Sequence, residues 1–163
     1  MLFPHLRVVC VPVLSLVLAA PLGQSHPLPA QAFNVPNGSS ASPVGRWKTI
    51  DDATGKVKSI VAIHEKNGKL YGTIETLFDP PVPYPTCYLC KGQMKDRPLV
   101  GLQVLWGFEQ DGSEWSGGQV LDPESGKIYR ASLALEDEGR KLRLHGYIGI
   151  PLLGRTEHWM RAE

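Results

Sequence analysis

From residue 44 onward, apolar and polar residues alternate along most of the chain with period two. Ile128, Arg130, Ser132 and Ala134 interleave with Tyr129, Ala131, Leu133 and Leu135. Lys141, Arg143 and His145 interleave with Leu142 and Leu144. Such alternation places successive side chains on opposite faces of a strand. Short β-like runs follow one another at 45–50, 57–65, 70–78, 99–108, 115–121, 127–135, 141–148 and 155–161. Turn signals separate them. Asn67-Gly68 is the strongest hairpin signal, and the stretches "DDATGK", "EQDGSE", "DPESG" and "EDEGR" do the same work elsewhere. No stretch of ten or more residues shows a capped helical stripe.

Each run has one apolar and one mixed face, as expected of an antiparallel sheet with one wet side. Eight strands in meander order predict an all-β fold, an eight-stranded antiparallel up-and-down β-barrel, because closure removes exposed edges. A two-sheet β-sandwich is the alternative. Glycines inside the runs, such as Gly72, Gly107 and Gly118, suit the bends of a strongly curved sheet. In the fourth run, Val100, Leu102, Val104, Trp106 and Phe108 share one face by parity. The candidate barrel interior is Ile63, Ile74, Phe78, Val104, Trp106, Phe108, Tyr129, Leu133 and Leu144. A barrel of eight strands is either filled by such side chains or holds one small ligand, and the pattern is compatible with both.

The amino-terminal part adds a location. Arg7 precedes an apolar run from Val8 to Ala20, and small residues follow, with Ala30-Gln31-Ala32 and Gly23-Gln24-Ser25 as candidate cleavage sites. Residues 1–32 therefore read as a secretory signal peptide with its cleavage region. The run is too short to span a bilayer, which needs roughly 20 residues, and no other segment is an integral membrane candidate. Cys10 lies early in the run, which argues against a lipid-anchored cysteine. Residues 33–43 read as a flexible lead-in and 44–163 as one barrel domain. The chain has 17 basic and 16 acidic residues. Only Arg7 among these lies in the leader, so the exported part is near neutral with interspersed signs. That excludes a nucleic-acid surface and a polybasic membrane patch.

Gly45-Arg46-Trp47 at the start of the first run, with Arg161 near the end of the last, resembles the lipocalin (calycin) pattern. In that superfamily the tryptophan closes one barrel end, and a basic residue of the last strand packs across its ring. The resemblance assigns Trp47 and Arg161 to barrel closure, with Arg155 as a competitor for the stacking role. The stretches "GRWKTIDDATGK", "NGKLYGTI", "CYLCKG", "DRPLVGLQVLWGF", "WSGGQVLDPESGKIY" and "LHGYIGIPLLGRTEHWMR" also resemble a bacterial secreted family known as domain-of-unknown-function family 2147. This implies an exported, lipocalin-like barrel in the bacterial periplasm. The family supplies no accepted catalytic residues.

Cys87 and Cys90 remain after the leader is removed. Their spacing suits a redox pair, half of a zinc site, or a local clip. A redox pair needs a lowered thiol pKa, usually at a helix N-terminus, and prolines surround this one. A zinc site needs about four ligands, and His64, His145 and His158 show no matching spacing. A local disulfide between Cys87 and Cys90 is the favoured state. The long connection at 79–98 carries it, and such loops commonly serve as lids or binding loops. Asp122 and Glu124 form a carboxylate pair on paper, but a hairpin turn accounts for them. Arg155 and Tyr147 are candidates for a ligand's polar head. No nucleophile elbow, P-loop, HExxH or dinucleotide fingerprint occurs. The expected function is a secreted, non-catalytic binding protein for a small, largely apolar ligand, without cofactor or metal. The alternatives are a cell-envelope interaction module with a filled barrel, and a thiol redox or metal-handling factor.

Overall fold

The structure is a computed structural model and describes residues 41–83 and 85–162. The expected signal peptide and residues 33–40 of the expected lead-in lie outside the described residues. Eight strands follow in order: β1 (Gly45–Ile50), β2 (Val57–Lys66), β3 (Lys69–Leu77), β4 (Gln103–Asp111), β5 (Glu114–Asp122), β6 (Lys127–Glu136), β7 (Lys141–Tyr147) and β8 (Gly154–Arg161). Each pairs antiparallel with the next, and β8 returns to β1, so the sheet closes into a barrel. The expected up-and-down barrel is the observed fold, and the sandwich is excluded.

Strict up-and-down order sorts the connections into two ends. Residues 67–68, 112–113 and 137–140 lie at one end with the start of β1 and the end of β8. The connections at 51–56, 78–102, 123–126 and 148–153 lie at the other. We call these the closed and open ends. At the closed end, Asn67 and Gly68 both take positive φ, 55° and 74°, as a two-residue hairpin turn of matching twist requires.

The fourth strand departs from the parity expected of it. It begins at Gln103 rather than 99, because residues 99–102 form a turn, with Leu102 N–H donating to Leu99 C=O at 3.1 Å. Its pairing with β3 shifts twice, between Gly72 and Thr73 and between Leu70 and Tyr71. Each shift inserts one residue and flips the face that follows. Leu105 thus faces Gly72, and Phe108 faces Leu70, both fully buried. Gly107 absorbs the second insertion at φ 82°, a backbone state open to glycine without strain.

Inside, Trp47, Val61, Leu105, Phe108, Leu133 and Leu142 are almost wholly buried, and Trp159 joins them. Two glycines let these side chains fit. A Cβ at Gly118 would strike the Phe108 ring, and one at Gly72 would lie 2.8 Å from Leu105 Cδ1.

Candidate functional site

The closed end is built as a plug. Trp47, the third residue of β1, is buried, and its indole N–H donates to Pro43 C=O at 2.7 Å. The Arg161 guanidinium lies 4.3 Å from the Trp47 ring centroid. It also donates to Gly139 C=O at 2.7 Å, Ser42 C=O at 2.7 Å and Val44 C=O at 3.2 Å. A planar fork can stack on an aromatic face and bond several carbonyls at once. Arg161 rather than Arg155 therefore holds the stacking position. Residues 42–44 run across this end, with Pro43 buried.

The sequence-derived interior residues divide. Ile63, Ile74, Val104, Phe108, Leu133 and Leu144 are buried in the core. Trp106 is a correction: it pairs with Tyr71 and Gln119, and its indole N–H donates to the Gln119 side chain at 2.7 Å on the outer wall. Simple parity put it inside because the inserted residue at Gly107 is invisible to alternation. Phe78 is a second correction. It follows the last residue of β3 and stands 44% exposed at the open-end rim. Tyr129 shares the inward parity of Ala131 and Leu133 but sits half-buried near the open end, beside Gly146. Leu105, Val61, Leu70 and Trp159 belong to the core and were not named from the sequence. Leu105 was unreachable by parity, because an inserted residue precedes it.

The open end has a different chemistry. Thr49 and Ser59 face each other across β1 and β2, with hydroxyls 2.7 Å apart. On β8, Arg155, Glu157, Trp159 and Arg161 share the inward parity. The Trp159 indole N–H donates to Glu157 at 3.2 Å. Arg155 bonds Asp52 of the β1–β2 turn and lies 3.9 Å from Glu157. The hydrogen bond to Asp52, and then the charge of Glu157, raise the Arg155 pKa above its ordinary value. Arg155 is thus a fixed cation at physiological pH, set between two carboxylates. Tyr147 is a correction. It shares the outward parity of His145 on β7 and stacks on that ring at 6.0 Å. Asp52 and Glu157 were missed, since single acids in a turn and in a strand carry no spacing signal.

Cys87 and Cys90 form a disulfide with Cα atoms 5.3 Å apart, and both are buried in the core cluster. Their loop is internally bonded: Cys87 N–H donates to Arg97 C=O, and Leu99 N–H to Pro85 C=O, both at 2.9 Å. It rests on the β5–β6 turn, where Cys87 Sγ lies 3.8 Å from Pro123 O and Gly126 leaves no room for a Cβ against Leu89 O. That turn accounts for the paired carboxylates. Asp122 accepts from Glu124 N–H at 2.9 Å and from the Ser125 hydroxyl at 2.6 Å, and Glu124 pairs with Lys58 of β2. Among the described residues no cluster of His, Cys, Asp or Glu is arranged to hold a metal ion. Two concavities among them lie away from Arg155 and Glu157. One, of about 290 Å³, lies beside Met94, Arg97 and Leu102, and the other lies beside Trp115 and Leu135 at the closed end.

A family model described as "Uncharacterized protein conserved in bacteria (DUF2147)" matches residues 45–161. Among solved structures, the chain is similar to protein HP1028 from Helicobacter pylori, described as belonging to the lipocalin family. The two share 22% sequence identity with a TM-score of 0.65, over 76% of this chain and 84% of that one. A likeness at this identity shows the fold. No curated protein matches the chain.

Proposed function

We propose that this chain, which belongs to the DUF2147 family of uncharacterized bacterial proteins, is an exported, lipocalin-like binding protein. Its ligand is small and largely apolar and is held near the open end without covalent chemistry. The supporting observation is the division of the interior. Trp47 and Arg161 plug the closed end, while Asp52, Arg155 and Glu157 meet at the open end and Tyr129 stands half-buried near it. A ligand would rest on the apolar floor near Leu144 and be oriented by these groups, as sites with few polar contacts commonly work. The filled floor favours a compact molecule over a long chain. The leader-like residues 1–32 support export, and a family conserved in bacteria makes the periplasm the compartment we propose.

Native mass spectrometry of the protein purified from its own host tests this reading. We expect a small adduct that unfolding releases, and that Arg155→Ala or Glu157→Gln depletes. Gly146→Leu places a side chain beside Tyr129 and Val120, whose nearest atoms stand 3.6 Å from a Cβ at Gly146. A variant that fills the mouth in this way yet retains the adduct unchanged would sink the proposal. The second reading, a filled barrel acting through its loops, is favoured by the placement of both concavities away from the mouth residues Arg155 and Glu157. The thiol redox or metal reading has less support, because both sulfurs are bonded and buried.

A further inference from the structure

The β7–β8 connection reads Ile148-Gly149-Ile150-Pro151-Leu152-Leu153-Gly154 and carries no ionisable side chain. Its four large aliphatics face solvent: Ile148 is 63% exposed, Ile150 56%, Leu152 88% and Leu153 76%. Leaving such surface in water is unfavourable, and contiguous exposed apolar surface marks an interaction site.

The loop is held in this shape. His145 of β7 contacts Pro151 O through Nε2 at 2.8 Å and the Thr156 hydroxyl through Nδ1 at 2.9 Å. The His145 ring packs so close to Gly154 that a Cβ there would not fit. A short 3₁₀ turn at Pro151–Leu153 adds a further bond, from Leu153 N–H to Ile150 C=O at 3.2 Å. The barrel thus fixes an apolar tip outside its wall.

A second apolar group stands at the same end. Val82, Tyr88, Leu89 and Val100 of the β3–β4 connection are all exposed. In a closed barrel of eight strands, the β3–β4 and β7–β8 connections lie on opposite sides of the rim.

We propose that the open end docks on a phospholipid bilayer, with Leu152 and Leu153 inserted as a wedge among the acyl chains. Three features select lipid over a protein partner. The tip is wholly aliphatic, whereas protein hot spots favour Trp, Tyr and Arg and seldom use Leu. Tyr147 precedes it, an amphipathic type that settles at the headgroup level while apolar neighbours enter below. The closed sheet also offers no free strand edge for a protein to extend. Acids and bases nearly balance in the four open-end loops, so apolar burial drives the contact and anionic lipid is not required. The proposal is independent of what the mouth binds.

The test is co-sedimentation of the full chain with phosphatidylcholine vesicles, with and without phosphatidylglycerol, at low and high salt. The comparison protein is the double variant Leu152→Ser with Leu153→Ser. Both positions are exposed, so its melting temperature should match the parent's. The expected result is binding to pure phosphatidylcholine vesicles that persists at high salt. The variant should bind roughly 150-fold more weakly or worse, as two leucines returned to water imply. Equal binding by the variant overturns the proposal, because any other apolar segment, the amino-terminal one included, survives the substitution. Binding that needs phosphatidylglycerol and vanishes in salt also overturns it. Light scattering that shows a dimer lost in the variant, with vesicle binding unchanged, assigns the tip to a second copy instead.

Discussion

Arg161 ties the closed end together, because its charge, its plane and a donor on each of its three nitrogens are in use. Arg161→Ala would remove the stack on Trp47, worth about 0.5–1 kcal/mol at a partly exposed site. It would also strand the carbonyls of Gly139 and Ser42. We expect a loss of about 2–3 kcal/mol in urea unfolding, since hydrogen bonds to a charged group are the stronger kind. Arg161→Lys should recover less than half, because an ammonium lacks the fork. Acid stability is also set residue by residue. The Thr54 hydroxyl, then its backbone N–H, lowers the Asp51 pKa below the ordinary 3.8, and Lys141 does the same for Asp137. A carboxyl with a depressed folded-state pKa binds fewer protons folded than unfolded. Its contribution is therefore present above 3.8 and is lost as pH falls through the lower folded value. Thr54→Ala should move Asp51 back toward 3.8 and flatten the acid limb of the stability curve. A limb as steep as the parent's would refute that. Both groups are exposed, so the effect is small. At this scale the sequence was legible where a motif existed, as at Trp47 and Arg161. It was silent at Asp52 and Glu157, whose roles come from distant neighbours.

Among elements, β4 separates what alternation reveals from what it hides. Period two located the strand, but the inserted residues at its two register shifts fall to local backbone geometry and its pairing with β3. Trp106 went outward for that reason, and Leu105 and Phe108 went inward together. The β5 glycine facing Phe108 gives a direct test. Gly118→Ala should destabilise by about 1–3 kcal/mol through overpacking, because its Cβ would enter the Phe108 ring. Gly146→Ala should be much milder, because its Cβ would meet Tyr129 and Val120 at an ordinary 3.6 Å. Equal costs in denaturant titration would show that Phe108 moves freely. The Cys87–Cys90 bridge joins residues three apart, so the chain-entropy account assigns it about 2 kcal/mol. Cys87→Ser with Cys90→Ser should lower stability by about that amount and leave the barrel closed. Collapse of the far-ultraviolet β signal would show a larger role. The proline-rich surroundings foretold a clip, while the seat of the loop on Pro123 and Gly126 depended on the barrel bringing β5 alongside.

Across the whole molecule, the barrel has one seam that is lighter than the others. Among the described residues β1 meets β8 through Trp47–Arg161 and Lys48–Met160, reinforced by Ala162 N–H to Arg46 C=O at 2.8 Å. The β6–β7 ladder instead runs in register from Arg130 to Glu136. Local opening begins where buried contacts and hydrogen bonds are fewest. Amides that bridge β1 and β8 should therefore exchange with solvent faster than those between β6 and β7. Protection as strong at the seam as between β6 and β7 would mean that the Trp47–Arg161 plug locks closure cooperatively.

The sequence by itself determined the strand order, the turn positions, the barrel class and the closing pair. These depend on local alternation, turn chemistry and a short motif, each encoded within a few residues. Tertiary structure alone decided where Trp106 and Tyr147 point, and that Arg155 meets Asp52 and Glu157. It also decided that Leu152 and Leu153 stand in solvent. The reason is geometric. Inside or outside is a property of a closed surface, and two inserted residues in one strand are enough to exchange the faces that alternation assigns.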